Sequence, residues 1–407
     1  MTRDEVYACT LRHFFKPVAD LLYDDAHDDV SEVMINGPAD IYLERAGRIE
    51  RAGHRSFRDA DELMAAVRNL AEYVGRSIGG TAHSMDARLP VFRVGPPPAG
   101  GPAQPQQGEK FRVHVITPPC ARNGVCVTIR KFRRNNTTLD WLIGNGSITA
   151  EAAEYLRLAV RSLLNVVVAG GTGSGKTSLL NALSVSIPDR ERVVVIEDSS
   201  ELLLLSEADP LASEARAAKP HVVYLESRPP DPDGNGGVTI RDLFVDSLRM
   251  RPDRILMGEV RRGEALDLVQ SMLSGHDGAL STVHASSPRL ALVRLETLAL
   301  MNDVNMPVHV ARTQVSQAIH VVAQVARYPD GRRRVCDIAE VCGSDDKRGY
   351  RLRSMFRFER AGRDPDGGVR GHLVHTGKRS RFSRHVLDVS PEGEISRTKK
   401  IWGLNCD

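Results

Sequence analysis

Gly170-Gly171-Thr172-Gly173-Ser174-Gly175-Lys176-Thr177 decides how the rest of this chain is read. It follows Leu163-Leu164-Asn165-Val166-Val167-Val168-Ala169 and precedes Ser178-Leu179-Leu180-Asn181-Ala182-Leu183. The octapeptide fits G-x-x-x-x-G-K-[ST], a loop whose backbone N–H groups cradle the phosphates of a nucleoside triphosphate. The apolar run before it reads as a buried strand, and the residues after it have helical spacing that ends at Pro188. Strand, glycine loop and helix in that order aim N–H groups and the positive end of a helix dipole at one point. Gly170, Gly171, Thr172, Gly173, Ser174, Gly175, Lys176, Thr177 and Ser178 are therefore the expected nucleotide contacts. Lys176 would reach the β- and γ-phosphates and the Thr177 hydroxyl would ligate Mg2+, so ATP and Mg2+ are the implied cofactors.

Working outward, 407 residues predict two or three domains, each able to bury a core. Hydrophobic content of 41% and charged content of 26% are those of a soluble globular chain. A net charge of +3 and 5% aromatic residues speak against a nucleic-acid partner. From Asp345 onward, 15 Lys and Arg stand against 9 Asp and Glu, which is read first as a solvated basic face. The cysteines at 9, 120, 126, 336, 342 and 406 form no C-x-x-C pair, so free thiols in a reducing compartment are expected. No apolar stretch reaches the ~18 residues of a membrane span, and the first residues lack an apolar signal core. A cytoplasmic protein is expected, touching a membrane only through a partner or its surface.

Five blocks follow from the texture of the chain. Residues 1–30 read as an N-terminal extension, with a short helix at Tyr7–Leu22 and a solvated acidic run at Asp24–Asp29. Residues 31–132 read as an α+β domain with strands at 32–38, 41–44, 49–50, 88–94, 111–117 and 125–129. Its helix spans 60–77, and a proline- and glycine-rich insertion at 95–108 is expected to be flexible. Residues 133–148 read as a linker, and Thr149 as the cap of a helix over 150–162. Residues 149–342 alternate apolar strands (192–196, 254–257, 279–283) with helices (240–250, 263–274, 288–301), which predicts a parallel sheet covered on both faces. Residues 343–407 read as a basic C-terminal extension.

Splitting a phosphoanhydride needs positioning and charge neutralisation, so acids are sought where the parallel strands end beside the loop. Strand 192–196 ends in Glu197-Asp198-Ser199-Ser200-Glu201, and strand 254–257 ends in Gly258-Glu259. Glu201 and Glu259 are the candidate catalytic acids, with Glu197 and Asp198 left open between a site role and a solvated loop carboxylate, and Glu259 is also a candidate metal ligand beside Thr177. Gly258 stands where an aspartate is usual, and Asp253 precedes its strand and so belongs to the far end. His284 follows the next strand and is expected near the γ-phosphate. His276 precedes that strand and would serve elsewhere, at a subunit boundary.

These stretches together resemble the secretion ATPases of the type II/type IV pilus superfamily. Ile196-Glu197-Asp198-Ser199-Ser200-Glu201 is similar to their Asp box, and Arg251 through Arg261 to their Walker B segment. Ser274-Gly275-His276-Asp277-Gly278 through His284-Ala285 is similar to their His box. Glu32-Val33-Met34-Ile35-Asn36-Gly37-Pro38, Asp86-Ala87-Arg88-Leu89-Pro90, Thr128-Ile129-Arg130-Lys131-Phe132 and Arg289 through Thr297 resemble the CpaF-like branch of Tad/Flp pilus-assembly ATPases.

The resemblance implies a RecA-like P-loop NTPase core preceded by a smaller PAS-like α+β domain, assembled as a homohexamer. It implies catalytic roles for Glu201, Glu259, Lys176, His284 and His276, and a phosphate-contacting role for Arg112 and Arg130. It also implies an inner-membrane platform protein as partner on the cytoplasmic side. Departures are the insertion after Pro90, Arg262 where glycine is common, and the absence of a four-cysteine zinc module. The function so implied is an ATP-driven motor for pilus assembly or protein secretion. The alternatives are a type IV secretion traffic ATPase and a nucleotide-gated scaffold without turnover.

Overall fold

Alternating apolar residues dominate the first third of the chain and continuous apolar runs the remainder, and the fold divides accordingly. The computed structural model describes all residues except 1–9, 28, 46, 81, 91–109, 132–136, 200, 203, 205–220, 229, 231–234, 303, 346, 365–366, 390–401 and 403–407. Two compact units are present, Met1–Asn135 and Asn136–Asp407.

The first unit is a six-stranded antiparallel sheet of β1 (Val30–Asn36), β2 (Ile41–Arg45), β3 (Arg48–Arg51), β4 (Ser84–Pro90), β5 (Lys110–Ile116) and β6 (Cys126–Lys131), ordered β3-β2-β1-β6-β5-β4. Period-two alternation sends Val33, Ile35, Ile41, Leu43, Val113, Val115, Val127 and Ile129 to one buried face. The helix Ala60–Tyr73 covers that face with Leu63, Ala66, Val67, Leu70 and Ala71. Asp59 caps it by accepting the Glu62 N–H at 2.8 Å.

The expected N-terminal extension is part of this core: Leu11, Phe15, Val18, Leu21, Leu22 and Tyr23 are buried in it. Lys131 secures the segment by donating from Nζ to the carbonyls of Leu21 (2.8 Å) and His27 (3.1 Å). The strand expected at 88–94 begins earlier, at Ser84. The insertion at 95–108 lies outside the described residues.

The second unit is a nine-stranded sheet of β7 (Val166–Gly170), β8 (Arg192–Glu197), β9 (His221–Glu226), β10 (Arg254–Met257), β11 (Leu280–His284), β12 (Val321–Arg327), β13 (Arg333–Asp345), β14 (Gly349–Arg363) and β15 (Val369–His375). Its order is β15-β14-β13-β12-β7-β11-β10-β8-β9. Strands β12, β7, β11, β10, β8 and β9 run parallel, whereas β13, β14 and β15 add an antiparallel flank. Two strands therefore separate β7 from β8, the RecA-like arrangement that leaves a crevice above the carboxyl ends. Val166 and Val168 enter the core on one face, and Val167 and Ala169 the core on the other. Burial on both sides is why these strands read as unbroken apolar runs.

Several boundaries move for physical reasons. The expected linker contains the helix Leu139–Gly144, and Leu142 and Ile148 are buried in the core of the second unit. Thr149 precedes the helix Ala150–Arg161 with extended backbone, but its side chain makes no capping bond. The helix Ile240–Ser247 stops before residue 250 and carries a capping box between Thr239 and Asp242. No separate C-terminal extension starts at 343, because β13 runs through that position and β14 and β15 continue the sheet. Further on, Trp402 is fully buried and stacks on Tyr155 with ring centroids 4.5 Å apart.

Below β7, Asn165 accepts the Ala279 N–H and donates to the Ala318 carbonyl, while its own N–H goes to His320 Nδ1 at 3.0 Å. Burial, with Arg381 and His385 nearby, pushes His320 down to about 4. An unfolded histidine titrates near 6.5, so between about 6.5 and 4 the unfolded chain binds a proton that the folded one refuses. The stability linked to His320 is complete above that window and falls by about 3 kcal/mol as pH drops through it. Urea denaturation at stepped pH is expected to show this slope, and His320→Gln to flatten it. An unaltered slope in the variant removes His320 as its source.

Candidate active site

The loop after β7 is shaped by glycines that cannot carry a side chain. A Cβ on Gly170 would lie 2.4 Å from Ser174 Oγ and 2.6 Å from the Val325 carbonyl. Gly175 (φ +95°) sits in the left-handed region at the N-cap of the helix Lys176–Ser184, leaving that helix's first N–H groups facing the loop. Lys176 is largely buried and curls back, its Nζ donating to the Gly171 carbonyl at 3.0 Å and standing 3.4 Å from His284 Nε2. Arg333, the first residue of β13, donates from Nε to the Gly173 carbonyl at 2.9 Å and so supports the loop tip.

Parallel pairing sets the neighbours. His284 lies level with Gly170 across β11 and β7, and β10 brings Gly258-Glu259 beside them. His284 Nε2 meets Glu259 Oε1 at 2.9 Å. Burial first, and the Lys176 ammonium second, hold the His284 imidazole below its ordinary pKa, so near neutrality it is uncharged and donates its Nε2–H to Glu259. Arg261 pairs with Glu259 (2.9 Å) and Asp198 (3.1 Å), and the bond to Glu259 raises its pKa further.

Glu201 reaches back across the crevice, and the Thr177 hydroxyl donates to its Oε2 at 3.2 Å. Lys176, Thr177, Glu201, Glu259 and His284 thus gather around one loop. Thr177 supplies a hydroxyl, with carboxylates on either side of the loop, a donor set that fits a hard cation bound together with phosphate oxygens. Thr177 and Glu259 are the residues that would hold Mg2+, whose chemistry would be to neutralise charge on the phosphates.

The other candidates lie elsewhere. Asp253 Oδ2 accepts the Arg192 N–H at 2.7 Å, at the amino ends of β8 and β10. His276 is at the amino end of β11, away from the loop, with its N–H donating to the Ser271 carbonyl and its Nδ1 buried without a partner among the described residues. Arg112 and Arg130 belong to the first unit, directly opposite one another on β5 and β6, with Glu32 on the far side of Arg130. Side-by-side like charges work against sheet stability, and here Asp86 lies 3.9 Å from Arg112 while Glu32 is paired with Arg130.

Three further groups have no local motif of their own as site residues. Arg333 is 160 residues from Gly173, so no local spacing announces it. Arg261 and Asp198 lie inside the motif stretches, and what ties them to the site is the Arg261 guanidinium, which pairs with both Asp198 and Glu259.

A phosphate loop on β7, acids on the ends of β8 and β10, and the intervening β11 define a P-loop NTPase core of the RecA-like kind. The chain belongs to the type II/IV secretion system protein family, which matches residues 16–355. It is 32% identical over 312 residues to a putative conjugal transfer protein of Mycobacterium tuberculosis, covering 77% of this chain and 81% of that one. It is 34% identical over 338 residues to the type IV secretion system protein PtlH of Bordetella pertussis, covering 77% and 91%. The X-ray structure of the Legionella pneumophila ATPase DotB matches with a TM-score of 0.52 at 17% identity, over 84% of this chain and 82% of that one, a likeness of fold. No helix among the described residues is long and apolar enough to cross a membrane.

Proposed function

We propose that this chain hydrolyses ATP and uses the energy to drive a secretion or pilus-assembly machine. The observation that carries the reading is the convergence of Lys176, Thr177, Glu201, Glu259 and His284 on the phosphate loop. In it the loop binds the β- and γ-phosphates, and Thr177 and Glu259 hold Mg2+. Glu201 and Glu259 orient the attacking water, and His284 reports the γ-phosphate through its contact with Glu259. The roles of Arg112 and Arg130 toward the nucleotide rest on the motif resemblance, as do the homohexamer, the platform partner and the inner face of the membrane as the place of work.

Two cargo readings follow from different observations. The motifs of the N-terminal unit favour a Tad/Flp-type pilus. The likeness to conjugal transfer and type IV secretion proteins favours a traffic ATPase for DNA or effectors.

Steady-state phosphate release tests the enzymatic part. Wild type is expected to turn over Mg-ATP, and Glu259→Gln to lose at least about 100-fold in kcat by giving up the carboxylate that orients water. Equal and negligible rates in both would leave a nucleotide-gated scaffold.

A further inference from the structure

Glu197 ends β8, and only 4% of its surface is exposed. Its carboxylate turns to the backbone that follows the strand. Oε1 accepts the backbone N–H groups of Glu201 and Leu202, each at 3.0 Å, and Oε2 lies 3.2 Å from the Leu202 nitrogen. The turn that carries Glu201 is therefore pinned at its own backbone by a buried anion. At the other end of that residue, the Glu201 carboxylate meets Thr177. Backbone N–H bonds to a carboxylate are charge-assisted, and their geometry fixes where the next side chain can reach.

Gly258 supplies the second, independent observation. It stands where the Walker B strand of many P-loop enzymes places an aspartate. Its backbone is not in the left-handed region, so conformation does not require glycine there. Space does. A Cβ at 258 would lie 2.8 Å from Glu197 Cγ, 3.1 Å from Oε1 and 3.4 Å from Cδ. The pairing of β10 with β8, Met257 level with Ile196, brings the two positions together.

From these contacts we infer that Glu197 is a positioning residue. Its buried carboxylate holds the Glu201 turn against Thr177, and residue 258 is glycine because Glu197 fills the volume its side chain would take. The inference rests on the reading of Glu201 as a catalytic acid, and it adds a group that acts through the backbone of that residue.

Kinetics and a stability cycle test it together. Glu197→Ala is expected to lower kcat for Mg-ATP at least about tenfold while KM stays within about twofold, because the loop itself is untouched. Glu197→Gln keeps one oxygen for the two N–H groups and is expected to recover most of that loss. Gly258→Ala is expected to lower both kcat and the urea midpoint in the wild-type background, and to shift the midpoint by less than half as much in the Glu197→Ala background.

Wild-type kcat in Glu197→Ala, beside an active wild type, would overturn the positioning role and leave the proposed function standing. Additive midpoint shifts would overturn the steric link whether or not the chain turns over ATP. A wild type without turnover counts against the proposed function and against the positioning role that rests on it, while the stability cycle still decides the steric link.

Discussion

Lys176→Ala is expected to weaken Mg-nucleotide binding by about 3 kcal/mol, roughly 100-fold in Kd, and to abolish turnover. The ammonium is seated inside the loop, bonded to the Gly171 carbonyl and close to His284. Bound phosphate would take over those contacts, exchanging a carbonyl for an anionic oxygen in a largely water-excluded position. The helix dipole and loop N–H groups remain in the variant, so residual binding is expected. Calorimetric titration with ADP and with a non-hydrolysable ATP analogue measures the effect. A wild-type Kd with either ligand would remove Lys176 from the site.

Trp402→Ala is expected to destabilise the second unit by about 3–5 kcal/mol, through lost transfer energy and the cavity left behind. The indole is fully buried on Tyr155, whose ring also contacts Phe356. The Tyr155 hydroxyl donates to Glu340 Oε1 at 2.7 Å, and Glu340 also accepts from Ser380 Oγ and the Arg381 N–H. Ser383 Oγ in turn donates to the Trp402 carbonyl at 2.5 Å. Trp402 thus closes a buried patch on the helix Ala150–Arg161. The chain holds two tryptophans, and the other, Trp141, is exposed, so their fluorescence separates the environments. Urea denaturation of Trp402→Ala and Trp402→Phe checks the claim. Less than about 1 kcal/mol lost in the alanine variant would show that the stack contributes little.

Much of the core was legible because its signals are local. Val166 to Gly170, the glycines after it and the helix from Lys176 lie within about one βα unit, so pattern and motif agree without tertiary help. Strand ends were legible for a related reason. In a parallel sheet, all residues that follow their strands share one edge, which groups Glu259 and His284 and excludes Asp253 before any contact is known. Strands β9 and β12 to β15 were not anticipated. Residues 221–226 neighbour a loop, those of β12 and most of β13 carry no strand signal of their own inside the nucleotide-binding block, and β14 and β15 read as a basic tail until the sheet recruits them. On β14, buried Met355 and Phe356 sit between arginines that dominate the composition.

The N-terminal segment and the expected linker show the same limit. Leu11, Phe15 and Leu22, or Leu142 and Ile148, are too few to announce a core of their own, and they are buried only against elements distant in sequence.

By itself, then, the amino-acid order determined that a phosphate loop sits between a strand and a helix, and which acids and histidine follow neighbouring strands. Those are properties of short segments and of the periodicity that parallel burial imposes. Tertiary structure alone decided that Arg333 braces Gly173, that His284 donates to Glu259, and that Glu197 occupies the space beside Gly258. Residues 197 and 258 become neighbours only when β8 pairs with β10. A glycine that looks like a missing aspartate in the sequence is, in the fold, the space left for another strand's carboxylate.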